Sequence, residues 1–386
     1  MRNNEIKYKE QLPESLHGIG DIVGNFELIQ HIGKGGFGNV WKCRSLETKS
    51  EYAIKILQSQ RLFPNSFQRF QDEVKIMQEQ GEERPDLIMP IIETNICKET
   101  SYDESNKQDY YYVMPLAEKT GRDILNTQWE DRLQSILNIF EVLQHLHSRN
   151  IVHRDIKLDN ILLYNGRYVL SDYGLVSYVG KPQITDFREI IGPRSALDHT
   201  SFGRISAENS PATDICEFAK VIWMILTQSK FSFEGQYNPC GSETLYKNVK
   251  EVPVKSYRTI DALLVDCTQF DREARPDINT MQHRFKEWIK ENEDDNKRPT
   301  LMWNDLLFRL FPMHQPDYVE WKDLQEIEKV LSILEYYQNA VKENISINND
   351  NISGHIETCK IRINENLYTA KSIEYSKKNR HFAIKT

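Results

Sequence analysis

The sequence predicts an α+β protein with three parts: a small β-rich part carrying one helix, a mainly helical part, and a short α+β extension at the C-terminal end. Three observations carry this expectation. Residues 25–116 alternate apolar and polar positions as strands do, broken by a single helical pattern. Residues 129–148 and 214–226 read as helices, the first amphipathic and the second apolar nearly all round. Between them lies Ile151–Leu163, IVHRDIKLDNILL, a polar run pinned between two strand-like apolar stretches. A length of 386 residues leaves room for a two-lobed unit and an appendage.

Residues 1–24 read as a polar lead-in with no apolar stretch suited to a signal peptide. Phe26–Ile32 alternates as a strand and Val40–Cys43 resumes one, so Gly33, Gly35 and Gly38 fall in a hairpin. Their pattern, G-x-G-x-x-G-x-V ending at Val40, is weak alone, because a plain glycine turn or a dinucleotide-binding fingerprint shares it. The fingerprint would open a helix, whereas here strands flank the glycines. Without side chains, such a turn can bring its N–H groups close to phosphates. Tyr52-Ala53-Ile54-Lys55 ends an apolar strand, where a lysine is ordinarily a snorkelling edge residue. Asn65–Gln80 reads as a helix capped by Asn65 or Ser66, with Phe67, Phe70, Val74 and Met77 on one face. Glu73 flanks that face, either as a solvated charge or turned inward to pair with Lys55. Asn95–Gln108 is a polar loop, and Asp109–Leu116 is the last strand of the β-rich part.

In the helical part, Leu133, Ile136, Leu137, Phe140, Leu143 and Leu146 mark one stripe of Trp129–Ser148. The loop that follows aims Asp155, Lys157 and Asn160 at one point. A carboxylate to take a proton, an ammonium for a phosphate and an amide for a metal suit phosphoryl transfer. Tyr168–Ser171 then leads into Asp172-Tyr173-Gly174. Lys286–Pro299 is highly charged and ends in proline, which reads as a boundary. Beyond it, Leu301–Phe311 and Tyr318–Lys342 are expected to be helical, and Ile356–Ile363, Leu367–Tyr375 and His381–Lys385 to be strands.

Composition excludes some classes of function. At 39% apolar and 27% charged residues the chain is too apolar for wholesale disorder, and a net charge of −8 argues against a general nucleic-acid binder. The apolar stretch Ile215–Leu226 is too short to span a bilayer and carries Glu217 and Lys220, so no membrane association is expected. Six scattered cysteines without a C-x-x-C pair suggest neither a zinc site nor a disulfide framework, which makes a reducing, cytoplasmic setting the expectation.

His153–Asn160 resembles the catalytic loop H-R-D-x-K-x-x-N of eukaryotic-type (Hanks-type) serine/threonine protein kinases. The glycine pattern, the Lys55 strand and Asp172-Tyr173-Gly174, where the family has D-F-G, lie around it in the family's order. The resemblance covers roughly residues 26–290. It implies a bilobal protein-kinase fold with an N-lobe over 25–116, a C-lobe over 117–290, a linker over 291–300 and an accessory region over 301–386. It further implies ATP with Mg²⁺, or alternatively Mn²⁺, and a protein Ser or Thr hydroxyl as acceptor. Lys157, two residues after Asp155, favours Ser/Thr over Tyr.

By that resemblance, Asp155 orients the hydroxyl and accepts its proton, and Lys157 neutralises charge on the transferred group. Asn160 and Asp172 bind metal, Lys55 holds the α/β-phosphates, and Glu73 positions Lys55. Met114 lies behind the adenine, and Pro115 and Ala117 offer the backbone C=O and N–H that read its edge. Ile32, Val40, Ala53 and Leu162 sandwich the ring. Tyr173 replaces the family's Phe and packs beside His153 and Met77, its hydroxyl requiring a partner. Asp214 matches the aspartate of a buried helix, and Arg275 lies in the match to D-x-x-x-R-P. Arg275 pairs with an acid at the end of the regulatory segment, and Asp198 is preferred there over Glu208. Arg154 is expected to hold a phosphorylated residue, with Thr185 the leading site ahead of Ser177 and Tyr178. Asp186 and Glu189 could instead supply that charge unmodified. Ser195 and Ser201 are the nearest hydroxyls to a missing substrate-loop Thr. The rival reading is a pseudokinase scaffold, although degenerate members usually lack the equivalents of Lys55, Asp155 or Asp172. Residues 301–386 carry no recognised motif and no assigned role; a third reading makes them an interaction module, binding a protein partner, that regulates the kinase.

Overall fold

The computed structural model describes residues 17–34, 38–57, 66–96, 109–178, 198, 210–239, 241–249, 256–293, 298–311, 314–337, 342–347 and 354–386. The chain falls into two compact units, one comprising Met1–Gln236 with Thr268–Ile278, the other Tyr237–Cys267 with Asn279–Thr386.

The first unit opens with a six-stranded antiparallel sheet. Its strands are β1 (Ile22–Val23), β2 (Phe26–Lys34), β3 (Gly38–Ser45), β4 (Glu51–Leu57), β5 (Glu93–Asn95) and β6 (Tyr111–Pro115), in the order β1-β2-β3-β4-β6-β5. Period-two alternation buries Trp41 and Cys43 of β3 with Leu28, Ile54 and Val113, all at most 5% exposed. Each such side chain contributes roughly 1.5–3 kcal/mol. Helix α1 (Ser66–Glu83) buries Phe67, Phe70, Val74 and Met77, the expected stripe. The lead-in is shorter than expected, because β1 already pairs with β2 inside it.

Helix α2 (Trp129–Ser148) has the predicted bounds, but its buried face is turned slightly from the expected stripe. Ile139 and Val142 are fully buried, whereas Leu133 and Leu137 are only partly covered. A three-stranded sheet follows from β7 (Lys119–Thr120), β8 (Ile161–Tyr164) and β9 (Arg167–Leu170). Helix α3 (Ala212–Thr227) is buried on every side, including Asp214, Glu217 and Lys220.

The second unit contains α4 (Leu245–Asn248), α5 (Arg258–Cys267), α6 (Ile278–Glu293), α7 (Arg298–Leu310) and β10 (Tyr318–Trp321), followed by α8 (Leu324–Tyr337). The strands β11 (Ile345–Ile347), β12 (His355–Glu357), β13 (Lys360–Ile363), β14 (Asn366–Tyr368), β15 (Ser372–Ser376) and β16 (His381–Lys385) complete it. They form a four-stranded sheet β10-β15-β16-β11 and a meander β12-β13-β14. Trp303, Leu306, Leu331, Leu334, Tyr375 and Phe382 build the core. Arg309 of α7 donates from Nη2 to Asp261 of α5 at 2.8 Å and from Nε to Tyr337 at 2.8 Å and Asp305 at 3.3 Å. Both carboxylates are fully buried. These contacts join α5 and the C-terminal extension in one unit, and within the stretch 291–300 the described residues 291–293 and 298–300 are helical.

Two expectations are corrected here. Tyr318–Trp321 is a strand and not the start of a helix running to Lys342, because Asp323 caps α8. Its Oδ1 accepts N–H bonds from Gln325 and Glu326 at 3.0 and 3.2 Å. Ile356–Ile363 is a hairpin, turned at Thr358 and Cys359, whose φ of 47° and 60° suit a mirror-image turn. Leu367–Tyr375 is likewise divided between β14 and β15.

Candidate active site

The first unit holds a cavity of about 860 Å³. Ile32, Gly33, Val40, Ala53, Lys55, Met77, Met114, Pro115, Ala117, Asp155, Lys157, Asn160, Leu162 and Asp172 all line it. Ladder register explains the convergence. Ala53 stands opposite Met114 and Val40 opposite Lys55 in the six-stranded sheet, and Leu162 opposite Thr120 in the three-stranded one, so two sheets contribute to one space. Gly38 is required by close approach, since a Cβ there would lie 2.7 Å from the Ile56 carbonyl oxygen. Gly35 lies outside the described residues.

A buried ion pair sits at the inner end of β4. Lys55 Nζ donates to Glu73 Oε1 and Oε2 at 2.8 and 2.7 Å, and to Asp172 Oδ1 at 2.9 Å. Burial opposes the charge on Lys55, but Asp172 and Glu73 more than offset it, and the ammonium pKa is raised. Burial likewise favours neutral Asp172, yet Lys55 holds its carboxyl below the usual range. Glu73 accepts a further bond at 2.9 Å from the buried Tyr112 hydroxyl. Tyr112 is the ladder partner of Lys55 across β4 and β6, a non-local pairing that the sequence did not reveal.

In the loop after α2, Lys157 Nζ donates to Asp155 Oδ2 at 2.6 Å, and Asn160 Nδ2 donates to the same oxygen and to the Asp155 carbonyl, both at 2.9 Å. These bonds commit the amide nitrogen and leave its oxygen as the atom suited to a cation. Two buried carboxylates of α3 hold the loop backbone. Asp214 accepts the N–H groups of His153 and Arg154, each at 2.8 Å, and a bond from His147 Nε2 at 2.9 Å. Glu217 Oε2 accepts from Ile156 N at 2.9 Å. Burial favours the neutral acid at Asp214, but the bonds from His147 and from the Arg154 N–H hold its pKa low. At Glu217, burial and the charge of Asp214 push the carboxyl well above the ordinary range. Glu217 had a legible signal, a lone acid one turn past Asp214 inside an apolar helix. His147 had none.

His153 is fully buried, its ring 5.0 Å from that of Tyr173. Nε2 lies 3.2 Å from the Ser171 carbonyl, and Nδ1 accepts from Asp155 N at 3.3 Å. One donor and one acceptor make the neutral tautomer the one that fits. The Tyr173 hydroxyl finds its partner in the Leu170 carbonyl at 3.3 Å. Arg154 and Asp172 adopt left-handed φ of 68° and 62°, a conformation costing roughly 1–3 kcal/mol each. Asp198 receives a bidentate bond from Arg275, at 2.8 Å from Nη1 and 3.0 Å from Nη2. Ser177 is buried, with its backbone paired to Val152, and Tyr178 donates to Asp72. Thr185, Asp186, Glu189, Ser195, Ser201 and Glu208 lie outside the described residues.

A lysine–glutamate pair on a strand and a helix thus shares one cavity with a carboxylate loop braced from a buried helix. A family model of the protein kinase domain matches residues 26–289, and the chain belongs to that family. Among its relatives, the serine/threonine-protein kinase PrkC of Bacillus subtilis is 27% identical over 224 residues, 56% of this chain and 32% of the relative. The serine/threonine-protein kinase fray1 of Dictyostelium discoideum is 29% identical over 202 residues, 50% of this chain and 32% of the relative. The serine/threonine-protein kinase DCLK1 of Rattus norvegicus is 28% identical over 197 residues, 48% of this chain and 42% of the relative. The matched stretch thus spans less than half the length of these relatives. Among the described residues, no helix is long and apolar enough to cross a membrane.

Proposed function

We propose that the protein transfers the γ-phosphoryl group of ATP to Ser or Thr hydroxyls of proteins. The observation that carries this reading is the Lys55–Glu73–Asp172 network facing the Asp155–Lys157–Asn160 loop across one cavity. The cavity is within the range of small-ligand sites. Asp172 and the Asn160 amide are oxygen donors of the kind Mg²⁺ accepts alongside phosphates and water.

When bound, Mg²⁺ supplies charge neutralisation along the triphosphate. Lys55, fixed by Glu73, holds the nucleotide's phosphates. Asp155 orients the acceptor hydroxyl and takes its proton, while Lys157 exchanges its bond to Asp155 for the transferring group. Most of the acceleration then comes from positioning and preorganised charge. Retention of Lys55, Asp155 and Asp172 around one cavity favours this reading over a binding-only scaffold. The first test is Mg²⁺-dependent transfer of label from γ-labelled ATP to a generic protein acceptor. Saturable ATP binding without any transfer, to acceptor or to itself, would favour the scaffold instead.

A further inference from the structure

Helix α1 must stay close to β4 for Glu73 to reach Lys55, and the chain following Asp172-Tyr173-Gly174 also bonds to this helix. The chain leaving Asp172-Tyr173-Gly174 is fixed by a two-way backbone pairing of Ser177 with Val152, 2.9 Å in each direction. The next residue, Tyr178, donates its hydroxyl to Asp72 Oδ1 at 2.9 Å. Asp72 is 3% exposed and immediately precedes Glu73. Lys75 of the same helix places its Nζ 4.9 Å from the centroid of the Tyr178 ring. The phenol is therefore held at its hydroxyl and over its ring face by α1 residues that bracket Glu73.

We propose that Tyr178 is a positioning residue for the Lys55–Glu73 pair, a strut that couples the loop braced by Asp214 to helix α1. Withdrawal of Glu73 from Lys55 carries Asp72 with it, because helix residues move together, and so breaks the Tyr178 bond. The far end of the strut cannot follow. Val152 adjoins His153, whose N–H is bonded to Asp214. Burial, reinforced by Asp72, pushes the Tyr178 hydroxyl up to about 12, so it remains a proton donor at neutral pH. Unlike Tyr112, which bonds Glu73 directly, Tyr178 acts only through the helix.

The inference rests on the kinase reading for its activity arm. The test compares full-length wild type with Tyr178→Phe, Asp72→Asn and the double variant. It measures kcat, KM for ATP and amide hydrogen exchange along α1. Tyr178→Phe removes one net hydrogen bond, so kcat should fall about 3- to 10-fold and α1 amides should exchange faster by a similar factor. The global unfolding midpoint should move little. Asp72→Asn keeps an acceptor for the phenol and should retain most of kcat, and adding it to Tyr178→Phe should cost little more. A Tyr178→Phe protein with kcat within twofold of wild type and unchanged α1 exchange overturns the proposal. So does one that is slow while α1 exchanges as in wild type. Exchange reads the helix whether or not phosphate is transferred, so a failed strut and a failed catalytic reading give different results.

Discussion

Two carboxylates three residues apart on α3 brace the same loop, yet they should respond oppositely to replacement by their amides. Asp214 accepts three hydrogen bonds, two of them from backbone N–H groups of His153 and Arg154, and its pKa is held low. An asparagine offers one oxygen, so at least one buried N–H must face an amide –NH₂. An unsatisfied buried donor costs about 1–3 kcal/mol, and the surviving bonds lose their charge assistance, bringing the loss for Asp214→Asn to about 3–5 kcal/mol. Glu217 accepts one bond from Ile156 N, and burial already favours its neutral form. Glu217→Gln keeps shape, neutrality and acceptor, so it should cost about 1 kcal/mol or less. Urea unfolding followed by circular dichroism, paired with kcat, separates the two. Asp214→Asn should lower the first transition by about 1–2 M and depress kcat, with Glu217→Gln near wild type in both. Equal losses in the two variants, or the reverse order, would refute the assignment of one ionised and one neutral carboxyl.

Two other outcomes follow from buried groups. Burial lowers the His153 pKa from its ordinary 6.5, so below pH 6.5 the unfolded chain binds a proton that the folded chain refuses. Stability should therefore fall with acidification by about 1.4 kcal/mol per pH unit until the folded pKa is reached. His153→Phe should lack that component between pH 7.5 and 5.5, and identical slopes in thermal or urea titrations would count against a buried neutral imidazole. In the second unit, Arg309→Met leaves Asp261 and Asp305 buried without their cation and should destabilise by about 3–5 kcal/mol. A melting temperature unchanged by that substitution would show that α5 and the C-terminal extension do not share one cooperative core.

Much of the architecture was legible because it rests on local pattern. Trp129–Ser148 shows its helical period, and His381–Lys385 its strand alternation, within a single element. That Lys55, Asp155, Asn160 and Asp172 would share one cavity was an expectation of the motif resemblance, and for Asp155 and Asn160 also of the short loop between buried strands, which leaves few directions for polar side chains. What the sequence hid depends on non-local register or on turn chemistry. Tyr112 reaches Glu73 only because β6 pairs with β4 in one particular register. The turn at Thr358 and Cys359 uses positive φ without glycine or asparagine, so a hairpin read as one strand. Tyr318–Trp321 was absorbed into a helix because the cap at Asp323 looks like any other surface acid. The join between α5 and the extension rests on Asp261 and Arg309, two charges 48 residues apart whose burial no local pattern announces.

Phosphoryl transfer through Asp155 is tested most directly by rapid-quench single turnover with the Asp155→Ala variant, alongside equilibrium binding of ATP and Mg²⁺. The Asp155 carboxylate touches Lys157 and Asn160 and not the Lys55 network, so nucleotide affinity should stay within a few-fold of wild type. The transfer rate should drop by about 10²–10⁴. Transfer at the wild-type rate by Asp155→Ala would contradict the account.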